Sequence, residues 1–353
     1  MTKTSDTAPS VRFPAEWESA GAVLLAWPHA ATDWAYMLPE VERCYHGLVQ
    51  AITRHAAAIV IAPDTTRARE ILSDIRSDFS VFYFDVPTDD TWTRDYGVIT
   101  TVCPDGRAVL NDFGFNAWGG KFPHGHDNAV TRAMYAAGLI RGEYADRNSF
   151  ILEGGSIESD GRGTLMVTTD CLLTPTRNPG LSKAEIEAEL ARTLGARKVI
   201  WATGAIIGDD TDGHIDTLAR LAPGNIIFYA TPAYGADDPE QIRALRRLEE
   251  SLTGCKDAEG NPFSMIGIPL PAPVSDPEDG SRLPATYLNY LVINDAVLMP
   301  SYGQPMADRL ASQIIRIAFP DHIIETVDCR ALIRQHGSLH CATMQLPQSV
   351  LPI

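Results

Sequence analysis

The chain has 353 residues, and 45% of them are hydrophobic, so it can bury a large core as one domain or two. A formal net charge of −16 argues against nucleic acid as a partner, because binding nucleic acid requires a basic face. The six cysteines are scattered without a CxxC pair, and no apolar run approaches the roughly 20 residues of a membrane helix. We therefore expect a reduced, cytoplasmic enzyme without a membrane partner.

Residues 1–10 have the composition of a disordered segment, whereas 11–353 carry strand and helix patterns without a linker and predict a single domain. The polar, aromatic loop 88–97 is expected to be exposed or to line a cleft. Short apolar runs predict strands, and apolar residues three or four apart predict helices. In the first half of the chain these patterns predict strands at 22–27, 58–62, 81–86, 98–102 and 108–113, and helices at 39–55, 64–76 and 127–137.

The second half continues the alternation of strands and helices. Ser182 followed by Glu185 is a capping box that begins a helix, and Asn294-Asp295 is expected to join two strands as a hairpin. The segment 269–284 is rich in Pro, Asp, Gly and Ser and is predicted to be a surface loop. The patterns predict strands at 164–168, 198–201, 226–230, 263–268, 287–293, 296–299 and 323–327, and helices at 182–194, 239–252 and 305–318.

Polar loops recur at similar spacings along the chain, 58 residues from Asp95 to Glu153 and 61 residues from Glu153 to His214. Such spacing indicates repeated supersecondary units that converge on a common centre. A conventional open parallel sheet is the alternative. Neither GxGxxG after a strand nor GxxxxGK[ST] is present, so nucleotide-binding folds receive little support.

The most unusual polar segment is 208–220, GDDTDGHIDTLAR. Asp210, Asp212, His214 and Asp216 fall at alternate positions, so an extended backbone would project them to one side. A cluster of this kind binds a metal, binds an organic cation or carries out proton chemistry.

The metal interpretation rests on the spacing D-x-H-x-D at Asp212, His214 and Asp216, which is similar to that of dinuclear manganese ureohydrolases. Oxygen and imidazole ligands suit Mn²⁺. Those enzymes also need a second aspartate-rich cluster, and the later carboxylates at 276–279 lie in the predicted surface loop. The sequence thus supplies half of such a centre.

The cation interpretation requires carboxylates that hold a planar guanidinium and a nucleophile above its plane. Cys341 is the candidate nucleophile, because it lies in the polar loop HGSLHCATM rather than in an apolar run. His340 is expected to be a neighbour of Cys341 rather than a second base, and the other cysteines are expected to be packing residues.

Six separated motifs, in order along nearly the whole chain, resemble one family, the agmatine deiminases and the related bacterial (Porphyromonas-type) peptidyl-arginine deiminases. The resemblance implies an α/β fold, the five-bladed, pseudo-symmetric propeller of ββαβ units called the pentein fold, with the active site at its axis. It also implies hydrolysis of guanidines without a metal or cofactor. The motifs are FPAEWESAGAVLLAWP (13–28), TWTRDYG (91–97), NDFGFNAWGGK (111–121), LEGGSIESDG (152–161), GDDTDGHIDTLAR (208–220) and GSLHCATMQLP (337–347).

The resemblance also implies roles for single residues. It places the nucleophile on Cys341, the general acid and base on His214, and the guanidinium-binding carboxylates on Asp95 and Asp216. Glu153 is a further carboxylate near the guanidinium and His214. The expected reaction is attack of the thiolate on the guanidinium carbon, loss of ammonia, and hydrolysis of a covalent thiouronium. Nearby acidic groups should raise the pKa of the thiol, so that the bound cation helps to ionise it.

At the outer end of the site, the resemblance implies that Trp92 and Asp210 line the substrate channel. Two positions depart from the family's pattern, His336 where glycine is common and Asp212 where asparagine is common. They leave the expected chemistry intact and concern the far end of the substrate.

Alternatives remain open at this stage. Asp95 could pair with Arg94, Glu153 could be a turn residue, and Trp92 and Trp118 could be core or rim aromatics. The favoured function is an agmatine deiminase of polyamine biosynthesis that produces N-carbamoylputrescine and ammonia. The alternatives are a peptidyl-arginine or free-arginine deiminase, a manganese ureohydrolase, and a non-catalytic guanidinium-binding protein. The expected partner is a small cationic guanidino substrate, and a homo-oligomer is left open.

Overall fold

The computed structural model describes residues 11–352, so the predicted disordered segment 1–10 lies outside the described residues. Within 11–352, the strands form five sheets of three or four strands and one two-stranded ribbon, and none of these sheets closes on itself. Strands alternate with helices through this range, which confirms the predicted α/β class.

None of the helices between residues 11 and 352 combines the length and the apolar character that a membrane span needs.

The strands have two to nine residues each. They are β1 (Ala20–Ala26), β2 (Ala57–Ala62), β3 (Val81–Asp85), β4 (Ile99–Val102), β5 (Ala108–Gly114), β6 (Glu143–Ile151), β7 (Ile157–Ser159), β8 (Thr164–Thr168), β9 (Lys198–Ala202), β10 (Ala219–Ala222), β11 (Ile226–Thr231), β12 (Ser264–Pro269), β13 (Val274–Ser275), β14 (Arg282–Leu283), β15 (Leu291–Ile293), β16 (Ala296–Ser301), β17 (Ile323–Asp328) and β18 (Met344–Pro347).

The α-helices fall into longer connecting helices and short turns of helix that precede or follow strands. They are α1 (Leu38–Ile52), α2 (Thr66–Ile71), α3 (Thr93–Tyr96), α4 (Ala117–Gly120), α5 (Val130–Ala136), α6 (Thr169–Leu172), α7 (Lys183–Leu194), α8 (Ile215–Leu218), α9 (Pro239–Leu252) and α10 (Pro305–Ile315).

The five sheets share one topology. In β4-β5-β6, β7-β8-β9, β10-β11-β12 and β15-β16-β17, the first two strands are antiparallel, a helix follows, and the third strand lies parallel to the second. The remaining sheet, β18-β1-β2-β3, begins with the last strand of the chain. There β18 pairs antiparallel with β1, and α1 connects β1 to the parallel strand β2. Residues 11–352 therefore contain five ββαβ units, one of them assembled from both ends.

The connecting helices also contact neighbouring sheets. Helix α1 contacts β17, α10 contacts β12, and α9 contacts β9 as well as β11 of its own sheet. Each of these helices therefore packs between its own unit and the preceding one.

Local sequence explains the best-predicted elements. All six residues of β2, AAIVIA, are buried, as expected for a parallel strand covered on both faces. In α1, Val41, Tyr45 and Leu48 form the buried stripe of an amphipathic helix. The predicted capping box begins α7, with the backbone N–H of Ser182 donating to the Glu185 carboxylate at 2.8 Å.

Four strands, β6, β7, β10 and β18, were not predicted, and loop 269–284 contains the ribbon β13–β14. β6 has the sequence EYADRNSFI and lies largely at the surface, so it lacks an apolar run. β7 has three residues, and β10 and β18 have four residues each, so their apolar runs are too short to predict a strand. Loop 88–97, expected to be exposed or to line a cleft, contains the buried helix α3 and contributes Asp90, Trp92 and Asp95 to the lining of a cavity.

Candidate active site

The same position in each ββαβ unit carries a buried polar residue, in the turn just before the first strand. The side chains differ, but each is at most 4% exposed. The equivalence of these turns explains the spacing of about 60 residues between repeated units. The residues are Asp95 before β4, Glu153 before β7, Asp216 before β10, Asn289 before β15 and Cys341 before β18.

Cys341, the predicted nucleophile, lies beside two of the other turns. The Nδ2 group of Asn289 donates to its Sγ atom at 3.3 Å, and Sγ lies 3.8 Å from Oδ2 of Asp216. Burial, followed by the negative charges of Asp216 and Asp95, raises the pKa of the Cys341 thiol well above its usual value. The prediction that nearby carboxylates favour the thiol is thus supported, although burial is the larger cause.

Asp216 is held from one side only. Its Oδ2 accepts from Nδ1 of His340 at 2.7 Å and from Nδ2 of Asn289 at 3.2 Å. Its Oδ1 is buried and has no hydrogen-bond partner among the described residues. Burial acts to raise the pKa of Asp216, but the bond from His340 and the charges of His340, His214 and Arg220 outweigh it, so the pKa is lowered. His340, expected to be a neighbour of Cys341, thus also contacts Asp216 directly.

Asp95 faces Asp216 across the site. Its Oδ2 accepts from the indole Nε1 of Trp118 at 3.0 Å, and its Oδ1 accepts from the backbone N–H of Gly155 at 3.0 Å. Burial raises the pKa of Asp95 to about 6, against the opposing charge of His214. Asp95 therefore makes no pair with Arg94, and Trp118 has a polar contact as well as a packing role.

His214 lies between the carboxylates. Its Nδ1 is 3.6 Å from Oδ1 of Asp95, and neither ring nitrogen has a hydrogen-bond partner in the part of the chain that the structure describes. Burial acts to lower the pKa of His214, but the charges of Asp95, Glu153, Asp216 and Asp209 together raise it. A completely buried ring with two unpaired nitrogens is arranged to contact a ligand.

Gly155 forms the floor of the space between these groups. A Cβ atom at this position would lie 2.7 Å from Nδ1 of His214, 2.8 Å from Oδ1 of Asp95 and 3.1 Å from Oδ2 of Asp216. The absence of a side chain therefore keeps the centre of the carboxylate cluster open.

Glu153 lies next to His214, as predicted. Its Oε1 accepts from Nε of Arg177 at 2.7 Å, and its buried Oε2 has no hydrogen-bond partner within residues 11–352. One ligand atom each from Glu153, Cys171 and His214 lie within 4.8 Å of one another. Arg177 also donates to Oδ2 of Asp212 at 2.5 Å and so ties the turn before β7 to the loop before β10.

A narrow cavity leads from Cys341 to the surface. Trp92, Asp210 and Asp95 are among the residues that line it. Nζ of Lys121 donates to Oδ1 of Asp210 at 3.0 Å. The other residues that line the cavity are Asp33, Asp90, Trp118, Phe122, Thr211, Gln335, His336 and Gly337.

The backbone of 208–220 differs from the extended segment that we expected. Residues 208–213 form turns, and α8 begins directly after His214. As a result Asp212 points to Arg177 and Lys121, away from the cluster around His214 and Asp216. The residues of the D-x-H-x-D pattern therefore do not converge on one metal position. Among residues 11–352, the clusters with metal-ligand geometry are Glu153, Cys171 and His214, and Glu16, Glu158 and His340.

Both departures from the family pattern lie at backbone positions with positive φ. Asp212 has φ of +67° and His336 has φ of +62°. Glycine and asparagine adopt this left-handed conformation most readily, which fits the glycine and the asparagine that the resemblance leads us to expect at these two positions.

Several residues of the site escaped the sequence analysis. Asn289 carried one usable signal, an amide within the apolar run Tyr287–Ile293. Arg177, Asp33 and Glu16 carried none, because only the folded chain brings them to the site.

Comparison with known proteins agrees with this geometry. The model of the Porphyromonas-type peptidyl-arginine deiminase family matches residues 12–347. The agmatine deiminase of Pseudomonas aeruginosa is 33% identical, with 96% of each chain covered. A solved Porphyromonas gingivalis protein with the provisional name of an arginine deiminase is 42% identical with a TM-score of 0.88, covering 97% of this chain and 99% of that one.

A solved C. jejuni agmatine deiminase, a Cys-to-Ser variant with substrate bound, is 35% identical with a TM-score of 0.86 over 95% of this chain and 96% of that one. These matches span nearly the whole length of each protein, and the family is the one that the six motifs predict. The chain therefore belongs to the Porphyromonas-type peptidyl-arginine deiminase family.

Proposed function

We propose that this protein is a guanidine deiminase that hydrolyses agmatine to N-carbamoylputrescine and ammonia. The observation that carries the proposal is the convergence of one buried thiol, one buried imidazole and three buried carboxylates, those of Cys341, His214, Asp95, Asp216 and Glu153. Unpaired polar atoms of His214, Asp216 and Glu153 supply hydrogen-bond partners for a planar cation.

Asp95 and Asp216 would hold the guanidinium from opposite sides, and Gly155 would leave room for it. The positive charge of the substrate would offset the carboxylates that hold the thiol of Cys341 in its protonated form. Substrate binding would in this way favour loss of the thiol proton to solvent and so generate the thiolate nucleophile, while His214 keeps the proton that it donates in the next step.

The reaction would proceed in two halves. The thiolate of Cys341 forms a bond to the guanidinium carbon, and His214 donates a proton to the departing nitrogen, which leaves as ammonia. Water then gives a proton to His214 and attacks the same carbon. The C–S bond breaks, the ureido product is released and the thiolate is regenerated. Glu153 would hold the imidazole and the attacking water in place.

The mouth of the cavity favours a substrate with a cationic far end. Asp33, Asp90 and Asp210 line it. Burial and then the charge of Asp33 raise the pKa of Asp90 to about 6. An ammonium group nearby would therefore stabilise the ionised form of Asp90. Agmatine presents an ammonium there, whereas arginine adds a carboxylate that the acidic side chains would repel. The agmatine deiminases among the relatives support the same choice.

The five ββαβ units support a propeller with five blades. Contacts of α1 with β17, of α10 with β12 and of α9 with β9 connect successive units, and α3 contacts β1. The turns before the first strands would then meet at the axis. A role in polyamine biosynthesis, a cytoplasmic location, a homo-oligomer and the absence of nucleic-acid partners remain predictions from the sequence.

An ammonia-release assay with agmatine, free arginine and a blocked arginine peptide tests the function. We expect release from agmatine and none from Cys341→Ala. Turnover of arginine or of the peptide without agmatine would move the assignment to that substrate. Urea production that a chelator abolishes would indicate a ureohydrolase. Agmatine binding without turnover, unaffected by Cys341→Ala, would indicate a binding protein.

A further inference from the structure

A second group of buried charges lies behind Asp216, on the side away from the cavity mouth. Nδ1 of His340 is 2.7 Å from Oδ2 of Asp216, and Nε2 of the same ring is 2.7 Å from Oε2 of Glu16. The side chain of Glu16 is 9% exposed and that of His340 is 1% exposed. A carboxylate from the N-terminal motif 13–28 thus reaches the residue before Cys341, although 324 positions separate it from His340.

Hydrogen-bond chemistry limits where the protons of Glu16, His340 and Asp216, here called the triad, can lie. An ionised carboxylate only accepts, and an imidazole donates from both nitrogens only when it is protonated. Burial acts to raise the pKa of Glu16, but the charges of Arg220 and His340 lower it strongly, and the pKa of Asp216 is lowered as well. With both carboxylates ionised, the two contacts of 2.7 Å require an N–H group on each ring nitrogen of His340.

Two guanidinium groups lie next to Glu16, so its negative charge strongly affects the charge that His340 can carry. Nη2 of Arg220, on β10, lies 2.9 Å from Oε2 of Glu16, and Nη2 of Arg94, on α3, lies 3.9 Å from it. Two guanidinium groups would therefore disfavour a protonated His340 if the Glu16 charge were lost. Glu158, on β7, pairs with Nε of Arg220 and makes no hydrogen bond with His340 in the described part of the chain.

The opposite side of the triad faces the reacting groups. Asn289, before β15, donates to both Asp216 and Cys341, and its Oδ1 accepts from the backbone N–H of His340 at 2.9 Å. The charged or titratable groups around Asp216 are His340, His214, Arg220, Asp95 and Cys341. A change in the charge of His340 would thus change the pKa of Asp216 and, through Asp216, the binding of the guanidinium.

We propose that Glu16 is a positioning residue for the reaction: it keeps His340 protonated, and the doubly donating ring holds Asp216 as an oriented anion beside the thiol of Cys341. The proposal rests on the deiminase function given above. Glu16 itself touches neither the substrate space nor the thiol; it acts through His340.

Glu16→Gln tests this role. Without the carboxylate, His340 loses its proton and Asp216 loses a charged donor. Burial should then raise the pKa of Asp216 above that of Asp95, so that Asp216 replaces Asp95 as the group that sets the acidic limb. We expect the acidic limb of kcat/KM to move up by about one pH unit, with KM raised roughly tenfold at pH 6 and kcat changed much less. Glu16→Asp, which retains a carboxylate, should restore part of the wild-type profile.

Glu18→Gln is the matched control. Glu18 lies two residues away, pairs with Arg12 at the surface and accepts a hydrogen bond from the backbone N–H of Ala15 at 3.0 Å. Its replacement therefore removes a charge from the same segment but no contact with His340. Its pH profile should equal that of the wild type. A profile of Glu16→Gln that is lowered uniformly at every pH, with no shift of the acidic limb, would overturn the proposal.

Nitrogen NMR of the histidine side chains provides a readout that needs no turnover. The His340 signals, identified by their loss in His340→Gln, should be those of an imidazolium at pH 7 in the wild type and of a neutral ring in Glu16→Gln. A neutral His340 in the wild type at pH 7 would overturn the proposal, even if Glu16→Gln fails to fold. An imidazolium signal in a protein that does not turn over agmatine would refute the proposed function and leave the role of Glu16 standing.

Discussion

Asp95 and Asp216, the two carboxylates on either side of the proposed guanidinium position, have pKa values that are shifted in opposite directions. Asp95, in the turn before β4, has a pKa raised to about 6, because burial outweighs the charge of His214 and the bond from Trp118. Asp216, in the turn before β10, is equally buried but has a lowered pKa, because His340 and Arg220 lie behind it. Burial alone therefore does not decide the charge of a carboxylate; the groups on its far side do.

This asymmetry has a functional consequence. Asp216 is a permanent anion over the physiological pH range, whereas Asp95 titrates near its lower end. We infer that Asp216 provides the constant attraction for the guanidinium and that Asp95 sets the acidic limit of activity. Five substitutions test this contrast.

Cys341→Ala should have the largest effect. Removing the nucleophile should lower kcat by roughly 10⁴-fold or more, as the loss of a single nucleophile does in other covalent enzymes. Agmatine should still bind, because both carboxylates remain, and calorimetric titrations from pH 5 to 8 would then report the charge of Asp95 directly. Binding that does not change through pH 6 would contradict the raised pKa of Asp95.

Gly155→Ala should lower kcat/KM by about 10²-fold, because its methyl group would occupy the space between Asp95, His214 and Asp216. Gly47→Ala in α1 is the control: no atom lies within 4 Å of the added methyl group, and alanine stabilises a helix by up to about 1 kcal/mol. Steady-state kinetics and thermal unfolding of both variants make the comparison. Unchanged kinetics in Gly155→Ala would mean that the substrate lies elsewhere.

Asp95→Asn and Asp216→Asn should change the stability in opposite directions. The stabilising contribution of Asp95 is complete below its unfolded pKa of about 4 and is lost as the pH rises through about 6, so at pH 7 the neutral asparagine should stabilise the fold by roughly 2 kcal/mol.

The contribution of Asp216 is present above its unfolded pKa of about 4 and is lost as the pH falls through its lowered folded value, so its replacement should destabilise the fold at pH 7 by about 2–4 kcal/mol. Denaturant unfolding at pH 5 and pH 7 checks both signs. Both variants should lose activity. Equal losses of stability in the two variants would remove the contrast between the carboxylates.

Trp118→Phe should have the smallest effect. The loss of the indole donor to Oδ2 of Asp95 should raise the pKa of Asp95 further and move the acidic limb of kcat/KM upward by a few tenths of a pH unit. Activity above pH 8 should change by less than about threefold. A shift of the limb to lower pH would show that Trp118 does not favour the charged form of Asp95.

The sequence predicted the family, and the structure brings the predicted site residues Cys341, His214, Asp95, Asp216 and Glu153 together, but the sequence predicted the backbone that carries them less well. Six motifs, among them those around Asp95, His214 and Cys341, identified the family because they occur in order along nearly the whole chain. The helices 239–252 and 182–194 were predicted closely, since their caps and apolar stripes are local signals.

What escaped prediction depends on contacts that are distant in sequence. The pairing of Asp212 with Arg177 pulls that carboxylate away from His214, and no local pattern announces it. Likewise, the contact of Glu16 with His340 joins the two ends of the chain. The outer strand β6 was missed because strands at the surface need no apolar run.

The central claim is that a cation held by Asp95 and Asp216 activates the buried thiol of Cys341. Alkylation by a haloacetamidine, which is cationic, and by the matching neutral haloacetamide tests it directly, because the two reagents differ mainly in charge. We predict inactivation at least roughly 100-fold faster by the cationic reagent, with peptide mass spectrometry placing the label on Cys341 among the six cysteines. Equal rates for the two reagents, or a label on another cysteine, would contradict the account.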